Sequence, residues 1–90
     1  MLIALYARDR EGASKIRADT RSAHLDYITE TGVVSMAGPL LGDDGGMIGS
    51  LVILDVADMT AARDWADNDP YAKAGLFERV ELTAWKKVIG

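Results

Sequence analysis

The sequence predicts an α+β fold of the ferredoxin-like type, a βαββαβ plait with an antiparallel sheet and both helices on one face. Two predicted strands, residues 2–7 and 48–56, contain runs of consecutive apolar residues, which are typical of central strands. Two others, residues 33–37 and 79–84, have the features of edge strands. In the ferredoxin-like order the first and third strands are central, so the hydrophobic pattern and the element order agree.

A first helix is predicted between the first two strands. Polar residues 8–12 end the first strand, Ser14 is expected to cap the helix, and Gly32 to stop it. His24 falls within the arc of the helix that is expected to face the sheet. The other members of this arc recur at helical spacing and are Ala13, Ile16, Thr20, Ala23, Tyr27 and Ile28.

The second strand, residues 33–37, is expected to be closed by Gly38 and Pro39, since a proline without a backbone donor suits an edge. The glycine- and aspartate-rich segment 42–46 predicts a hairpin turn into the third strand.

A second helix is predicted after the third strand, with Asp58 as its cap. Pro70 is expected to end it, because a proline drives the preceding residue, Asp69, out of the helical region. Residues 71–75 are interpreted as a short turn.

The last strand alternates the apolar Val80, Leu82 and Ala84 with polar residues and therefore shows one face to water at an edge. If both helices cover one face, the apolar residues on the other face of the central strands are left as a large exposed patch. A second copy packed sheet to sheet is the economical cover, so a symmetric homodimer is predicted. The small size of the chain and its lack of cysteine favour the same conclusion.

Composition excludes several classes of partner. The net charge is −4, and the few basic residues of the first helix are interleaved with acidic ones, so no nucleic acid is expected. No apolar run approaches the roughly 20 residues of a membrane span, and no signal peptide is recognisable, which predicts a cytoplasmic chain without a membrane partner. One histidine, no cysteine and no calcium-loop spacing predict no metal site within one chain. No glycine-rich nucleotide pattern occurs, so no cofactor is expected.

Several short motifs, taken in their order and spacing, resemble the YciI-like family over nearly the whole chain. They are Arg21-x-x-His24-Leu25-x-Tyr27, Gly32-Val33-Val34 leading to Gly38-Pro39-Leu40, Asp69-Pro70-Tyr71 with Gly75-Leu76-Phe77, and Trp85. The resemblance implies that residues 1–90 form a single domain with the fold of a dimeric α+β barrel, related to muconolactone isomerases and small cofactor-free monooxygenases. One branch of the family resembles a dehydrochlorinase that acts on chlorinated hydroxyquinols.

The resemblance also implies an active site built on a histidine and an aspartate, which correspond to His24 and Asp69. If the two are in contact, the carboxylate orients one ring nitrogen and leaves the other to move protons. The residues alone leave other interpretations open: a core histidine satisfied by a backbone carbonyl, and a turn aspartate bound to its own backbone.

Four further residues, Arg21, Gly38, Pro39 and Tyr71, are candidate substrate contacts. Arg21, like Arg17, would hold an anionic or enolate oxygen, or would be a solvated helix charge paired with its neighbours. The glycine and proline would bring backbone close to a ligand, or only end the strand. Tyr71 would line a pocket for a planar ring together with Trp65 and Trp85, or these aromatics would pack in the core or a dimer interface.

These observations predict a small cofactor-independent enzyme in which His24 is the general acid or base and Asp69 orients it. The substrate class, a small cyclic or phenolic molecule, and the reaction, isomerisation or elimination, follow from the resemblance. The alternative is a non-catalytic module of the same fold that binds a small ligand or serves as an interaction domain.

Overall fold

The computed structural model describes all 90 residues and contains four strands and three helices. The strands are β1 (Leu2–Asp9), β2 (Val34–Leu41), β3 (Met47–Asp55) and β4 (Phe77–Trp85), and the helices are α1 (Ser14–Thr31), α2 (Met59–Asn68) and α3 (Pro70–Lys73). The strands form one antiparallel sheet in the order β2-β3-β1-β4. The predicted fold class is therefore confirmed, with β1 and β3 at the centre.

The core lies between this sheet and the helices. Every second residue of β1, namely Ile3, Leu5 and Ala7, is buried, and each is paired with a residue of β3. On the helix side the core is closed by α2, which contributes Trp65 among its buried residues. Alternation is the expected result of the two-residue period of a strand, because only one face of each strand points to the helices.

Helix α1 begins one residue away from its expected cap. Ser14 is the first helical residue rather than the cap, and the capping position is held by Ala13, which makes no side-chain capping bond. The reason is the first intrahelical hydrogen bond, in which the Arg17 N–H donates to the Ala13 carbonyl at 3.1 Å. The predicted stop at Gly32 is confirmed, with a left-handed φ of 66°.

The buried stripe of α1 also differs from the predicted arc. Ala23 is exposed, whereas Arg17 and His24, seven residues apart, are the buried residues of the helix. Two turns of an α-helix span about seven residues, so both side chains project from the same face. The face of α1 that meets the sheet is thus partly polar. A prediction based on apolar residues alone therefore places the buried face at the wrong angle around the helix.

Strand β2 extends past the segment that was expected to close it, because Gly38 and Pro39 lie within the strand and pair with Leu51 and Ser50 of β3. The edge position is confirmed, and it tolerates a proline because the outer side of the strand needs no donor. The predicted hairpin is also present, closed by a hydrogen bond from the Gly42 N–H to the Gly46 carbonyl at 2.7 Å.

Helix α2 has its predicted cap, since the Asp58 carboxylate accepts from the Ala61 N–H at 2.8 Å. It ends at Asn68, before Asp69 and Pro70, as predicted. The following segment is a short helix, α3, rather than only a turn, because Asp69 caps it by accepting from the Tyr71 N–H at 3.0 Å. A proline at the first helical position supports the same start.

The face of the sheet that points away from the helices, called the open face here, is largely apolar on β2, β3 and most of β1, and carries Arg79 and Glu81 on β4. Met36 is 52% exposed, Leu51 42% and Trp85 40%. The strand register places further apolar residues on this face, namely Leu2, Ala4, Tyr6, Leu40 and Ile53. The patch that the sequence predicted on the central strands is therefore present. No helix of the chain is both long and apolar enough to cross a membrane.

Candidate active site

A cavity of about 200 Å³ lies between α1, the β2–β3 side of the sheet and α3. Five of the six residues singled out in the sequence line it, and the sixth, Asp69, lies directly behind His24. The complete lining is Arg17, Arg21, His24, Leu25, Ile28, Ala37, Gly38, Pro39, Met47, Ser50, Val52 and Tyr71.

His24 and Asp69 are in direct contact at the wall of this cavity. The Nδ1 atom of His24 lies 2.8 Å from Oδ1 of Asp69, and both side chains are buried. The same Asp69 oxygen accepts the Tyr71 N–H that begins α3. Asp69 thus bonds its own backbone turn and also orients the histidine, and the partner of His24 is a carboxylate rather than a backbone carbonyl.

The second nitrogen of the His24 ring, Nε2, opens on the cavity. It has no hydrogen-bond partner in the protein. Every side-chain nitrogen or oxygen that is shielded from solvent does have a partner, so Nε2 is not one of the shielded atoms. Because His24 lines the cavity, the unpaired nitrogen is accessible there. A ring held by one nitrogen and free at the other has the arrangement that proton transfer to a bound molecule requires.

Tyr71 fixes the plane of the histidine ring. The two rings are stacked with their centroids 3.9 Å apart and an interplanar angle of 18°. Tyr71 also meets Phe77 edge to face, with the ring centroids 5.9 Å apart, which limits its own movement. Burial raises the pKa of the Tyr71 hydroxyl, and the nearby charges of Arg17 and Arg21 lower it by less. The hydroxyl therefore remains a proton donor at neutral pH.

Arg17 is a buried part of the site, and the interpretation of it as a solvated helix charge is wrong. Its guanidinium donates to both carboxylate oxygens of Asp9, at 2.7 and 2.9 Å, and to Ser50 Oγ at 2.9 Å. The side chains of Arg17 and Asp9 are each only 7% exposed. Burial is the largest single influence and lowers the pKa of Arg17, but the hydrogen bonds and charges of Asp9 and Tyr71 together raise it by more, so the net pKa is above its ordinary value.

The sequence, which offered Arg17 as a candidate contact for an anionic oxygen, contained one signal for its burial. Arg17 precedes His24 by seven residues, and on a helix that spacing places both on one face. Its partners Asp9 and Ser50 belong to two different strands, β1 and β3, so no local pattern indicated them.

The remaining candidates divide between the cavity and other parts of the fold. Arg21 is exposed and belongs to none of the ion pairs, so its charge is uncompensated. Trp65 does not line the cavity but packs in the core, where its Nε1 donates to Thr31 Oγ1 at 2.9 Å. Trp85 lies on the open face.

Charge is distributed unevenly around the cavity. The wall includes two arginines and one histidine but no acidic side chain. The nearest carboxylates, Asp9 and Asp69, are turned towards Arg17 and His24. No group of three or more histidine or acidic side chains lies close enough together to hold a metal ion.

Known proteins are similar to this chain in sequence and in fold. The family model of the YCII-related domain matches residues 1–86. Protein YciI of Escherichia coli O6:H1 (strain CFT073) is 36% identical over 98% of this chain and 99% of its own length.

Among solved structures, 5-chloro-2-hydroxyhydroquinone dehydrochlorinase (TftG) from Burkholderia phenoliruptrix AC1100, in complex with 2,5-dihydroxybenzoquinone, superposes with a TM-score of 0.88. It is 35% identical, over 96% of this chain and 94% of that one. An antibiotic biosynthesis monooxygenase superposes with a TM-score of 0.59 at 9% identity, over 99% of this chain and all of that one, and so shares the fold alone.

Proposed function

The chain belongs to the family of YCII-related domains, and from that premise we propose that it is an enzyme acting on a small cyclic or phenolic molecule, with His24 as general acid and base. The observation that carries the proposal is the 2.8 Å contact between His24 Nδ1 and Asp69, which leaves Nε2 free in the cavity. In this role Asp69 orients the ring and stabilises it when it is protonated. Tyr71 keeps the ring plane fixed by stacking.

The size of the cavity favours a single ring as the substrate. A volume of about 200 Å³ exceeds the roughly 150 Å³ of an engineered protein cavity that accommodates benzene. The similar dehydrochlorinase was solved with a one-ring quinone bound, at 35% identity to this chain. Arg21, Gly38, Pro39 and Tyr71 would contact this ring, since all four line the same space as His24.

The proposed reaction is an elimination or an isomerisation that begins with removal of a proton by Nε2. In an elimination, the electron pair of the broken C–H or O–H bond forms a new double bond in the ring, the leaving group departs with its own bonding pair, and the histidine then passes its proton to water. In an isomerisation, the protonated histidine returns the proton at a different atom of the same ring. Neither route needs an oxidant or a reductant, because the substrate's electron pairs are only redistributed, either within the ring or to the leaving group.

We also propose that the active form is a homodimer that buries the open face. Large exposed apolar side chains gathered on one sheet face, such as Leu51, Met36 and Trp85, are unusual on an isolated small domain. Gly38 and Pro39 line the cavity on one side and an apolar groove of the open face on the other. A second copy on the open face would therefore support the strand that forms one wall of the cavity.

Chloride release from 5-chloro-2-hydroxyhydroquinone tests the catalytic proposal. The substitution His24→Gln is expected to lower the rate by about 100-fold to 10,000-fold, the usual contribution of a general acid or base. Asp69→Asn should lower it too, whereas Asp26→Asn, the same change at an exposed position of α1, should not.

Full activity of His24→Gln would contradict the proposal. If this and other one-ring substrates bind without being converted, the chain is instead a non-catalytic ligand-binding module of the same fold. Binding without turnover separates the two functions because it needs the cavity but not the free histidine nitrogen.

A further inference from the structure

We infer that the cavity selects the anionic form of its ring ligand, and that Arg17 and the Tyr71 hydroxyl bind the charged oxygen. This inference rests on the proposed function, because it names the substrate class of the same cavity. It concerns a ring with a deprotonated hydroxyl or carboxyl group, bound in the same cavity as the general base. The evidence is that the Arg17 guanidinium and the Tyr71 hydroxyl each keep a hydrogen-bond donor that no protein acceptor uses.

Arg17 has donors that no protein group uses. Its Nε and Nη2 atoms donate to Asp9 and Ser50, while Nη1 donates to no protein acceptor. A guanidinium carries five N–H donors, two of them on each terminal nitrogen. Because no buried nitrogen of the chain lacks a partner, Nη1 is accessible, and the cavity is the space that Arg17 lines. A buried, always charged donor pair thus faces the ligand.

The partners of Arg17 hold it in this orientation. Asp9 binds it in a two-point contact, and Ser50 accepts from the same Nη2. Bidentate contacts fix the plane of a guanidinium as well as its position. Asp9 and Ser50 are therefore positioning residues, and a ligand oxygen meets a donor group that needs no rearrangement to bind it.

The Tyr71 hydroxyl is a second unused donor. It donates its proton to no protein group, although the residue as a whole is buried, and its oxygen lies close enough to the Arg17 side chain for that contact to lower the pKa of the hydroxyl, by less than burial raises it. The Arg17 guanidinium carbon lies 4.8 Å from the centre of the Tyr71 ring. A neutral hydroxyl beside a guanidinium is a donor pair suited to an oxyanion, whereas the guanidinium cannot accept a hydrogen bond from a neutral phenol.

The charges around this subsite support the same ligand. The titratable groups that line the cavity are Arg17, Arg21 and His24 of α1 and Tyr71 of α3. Asp9 and Asp69 stand behind Arg17 and His24, and no other carboxylate lines the wall. An anionic oxygen in the cavity thus meets N–H and O–H donors without a facing carboxylate to repel it.

The ionisation of 4-nitrophenol in the presence of the protein tests the inference directly. Its phenolate absorbs visible light and its phenol does not, so absorbance reports which form is bound. We expect the bound ligand to ionise at a pH lower by about one unit, which is a tenfold preference for the anion. Binding alone is measured, so the result does not depend on any turnover.

Substitutions assign the preference to the proposed groups. Tyr71→Phe keeps the stacked ring but removes the donor, and we expect it to lose most of the tenfold preference. Arg21→Gln should weaken the preference in part, and Arg63→Gln, the same change on exposed α2, should leave it intact. Arg17 is tested in the double variant Asp9→Asn/Arg17→Gln, which leaves no unpaired buried charge.

The inference is overturned if phenol and phenolate bind equally, if neither 4-nitrophenol nor benzoate binds at millimolar concentration, or if Tyr71→Phe and the double variant keep the full preference. The His24→Gln variant separates this result from the proposed function. If it loses turnover while keeping the preference for phenolate, both conclusions stand. If the wild-type protein prefers phenolate but converts no substrate, only the catalytic proposal fails.

Discussion

The His24 ring stacks on the Tyr71 ring at 3.9 Å, and Asp69 binds both residues through one carboxylate oxygen. It accepts from the backbone N–H of Tyr71 and contacts the Nδ1 atom of His24. The cap of a short helix, the position of an aromatic ring and the orientation of a histidine are consequently set by a single side chain. A change at Asp69 is expected to affect all three.

This contact predicts the tautomer of the histidine. Since a carboxylate only accepts, the neutral ring should carry its proton on Nδ1 and leave Nε2 bare. Nitrogen-15 NMR of the ring measures this without ambiguity, because His24 is the only histidine. Asp69→Ala should shift the population towards the Nε2–H tautomer.

A matched control for that experiment is Asp58→Ala. Asp58 also caps a helix, so its substitution should lower the free energy of unfolding by about 1 kcal/mol, the usual effect of losing a helix cap, which Asp69→Ala shares. Asp58 does not contact His24, so the His24 ring spectrum of the Asp58→Ala variant should match that of the parent protein. A spectrum of Asp69→Ala that also matches the parent would contradict the orienting role.

The pair formed by Arg17 and Asp9 is expected to dominate the stability of the site. Arg17→Met leaves the Asp9 carboxylate buried and unpaired, which should lower the free energy of unfolding by about 3–5 kcal/mol. Urea unfolding measures this loss. In the double variant Asp9→Leu/Arg17→Met, most of the stability should return, because no charge is then left without a partner.

An exposed pair provides the comparison for this experiment. Lys15 and Asp19 are paired at 2.6 Å on the surface of α1, where both are largely exposed. Asp19→Asn should not move the urea midpoint measurably, since water screens such pairs. An Arg17→Met variant as stable as Asp19→Asn would show that the buried pair has no structural role.

Two tyrosines predict a loss of stability at alkaline pH. Burial raises the pKa of both Tyr27 and Tyr71 above the ordinary value near 10, and the charge of Asp69 adds to the shift at Tyr27. Above that value the unfolded chain releases these protons while the folded chain retains them. The unfolded state then binds fewer protons, so the stability should fall as the pH rises through this range.

Denaturant unfolding between pH about 9 and 11 checks this sign. The double variant Tyr27→Phe/Tyr71→Phe should show a flatter dependence than the parent, because phenylalanine has no proton to release. Equal slopes would show that neither hydroxyl is shifted. Comparison of slopes rather than of absolute stabilities removes the loss of the Tyr27 hydrogen bond to the Trp65 carbonyl from the result.

The architecture was predictable because its signals are local. Apolar runs in β1 and β3, the hairpin glycines, the Asp58 cap and the break at Pro70 each act through neighbouring residues, and all of them are confirmed. The cap of α1 was predicted one residue too late, because the helix begins with a backbone hydrogen bond from Arg17 to the Ala13 carbonyl, which no side-chain pattern indicates.

The site was predictable only in part, because its contacts join distant elements. His24 and Asp69 are 45 residues apart, and the resemblance to a family, not their spacing, brought them together. Arg17 was misjudged because a buried arginine is rare unless it is paired, and its partner Asp9 belongs to a strand. The three-dimensional docking of α1 on β1 and β3 is what makes its burial possible.

The open face predicts the oligomeric state. Light scattering on a sizing column should give twice the 9.7 kDa mass of the chain at micromolar concentration. Leu51→Glu places a charge among the exposed apolar residues of β3 and should yield a monomer, because a buried unpaired carboxylate opposes association. Val88→Glu, an equal change in the exposed segment after β4, should remain dimeric. A monomeric parent protein would refute sheet-to-sheet association, and a dimeric Leu51→Glu would place the interface elsewhere.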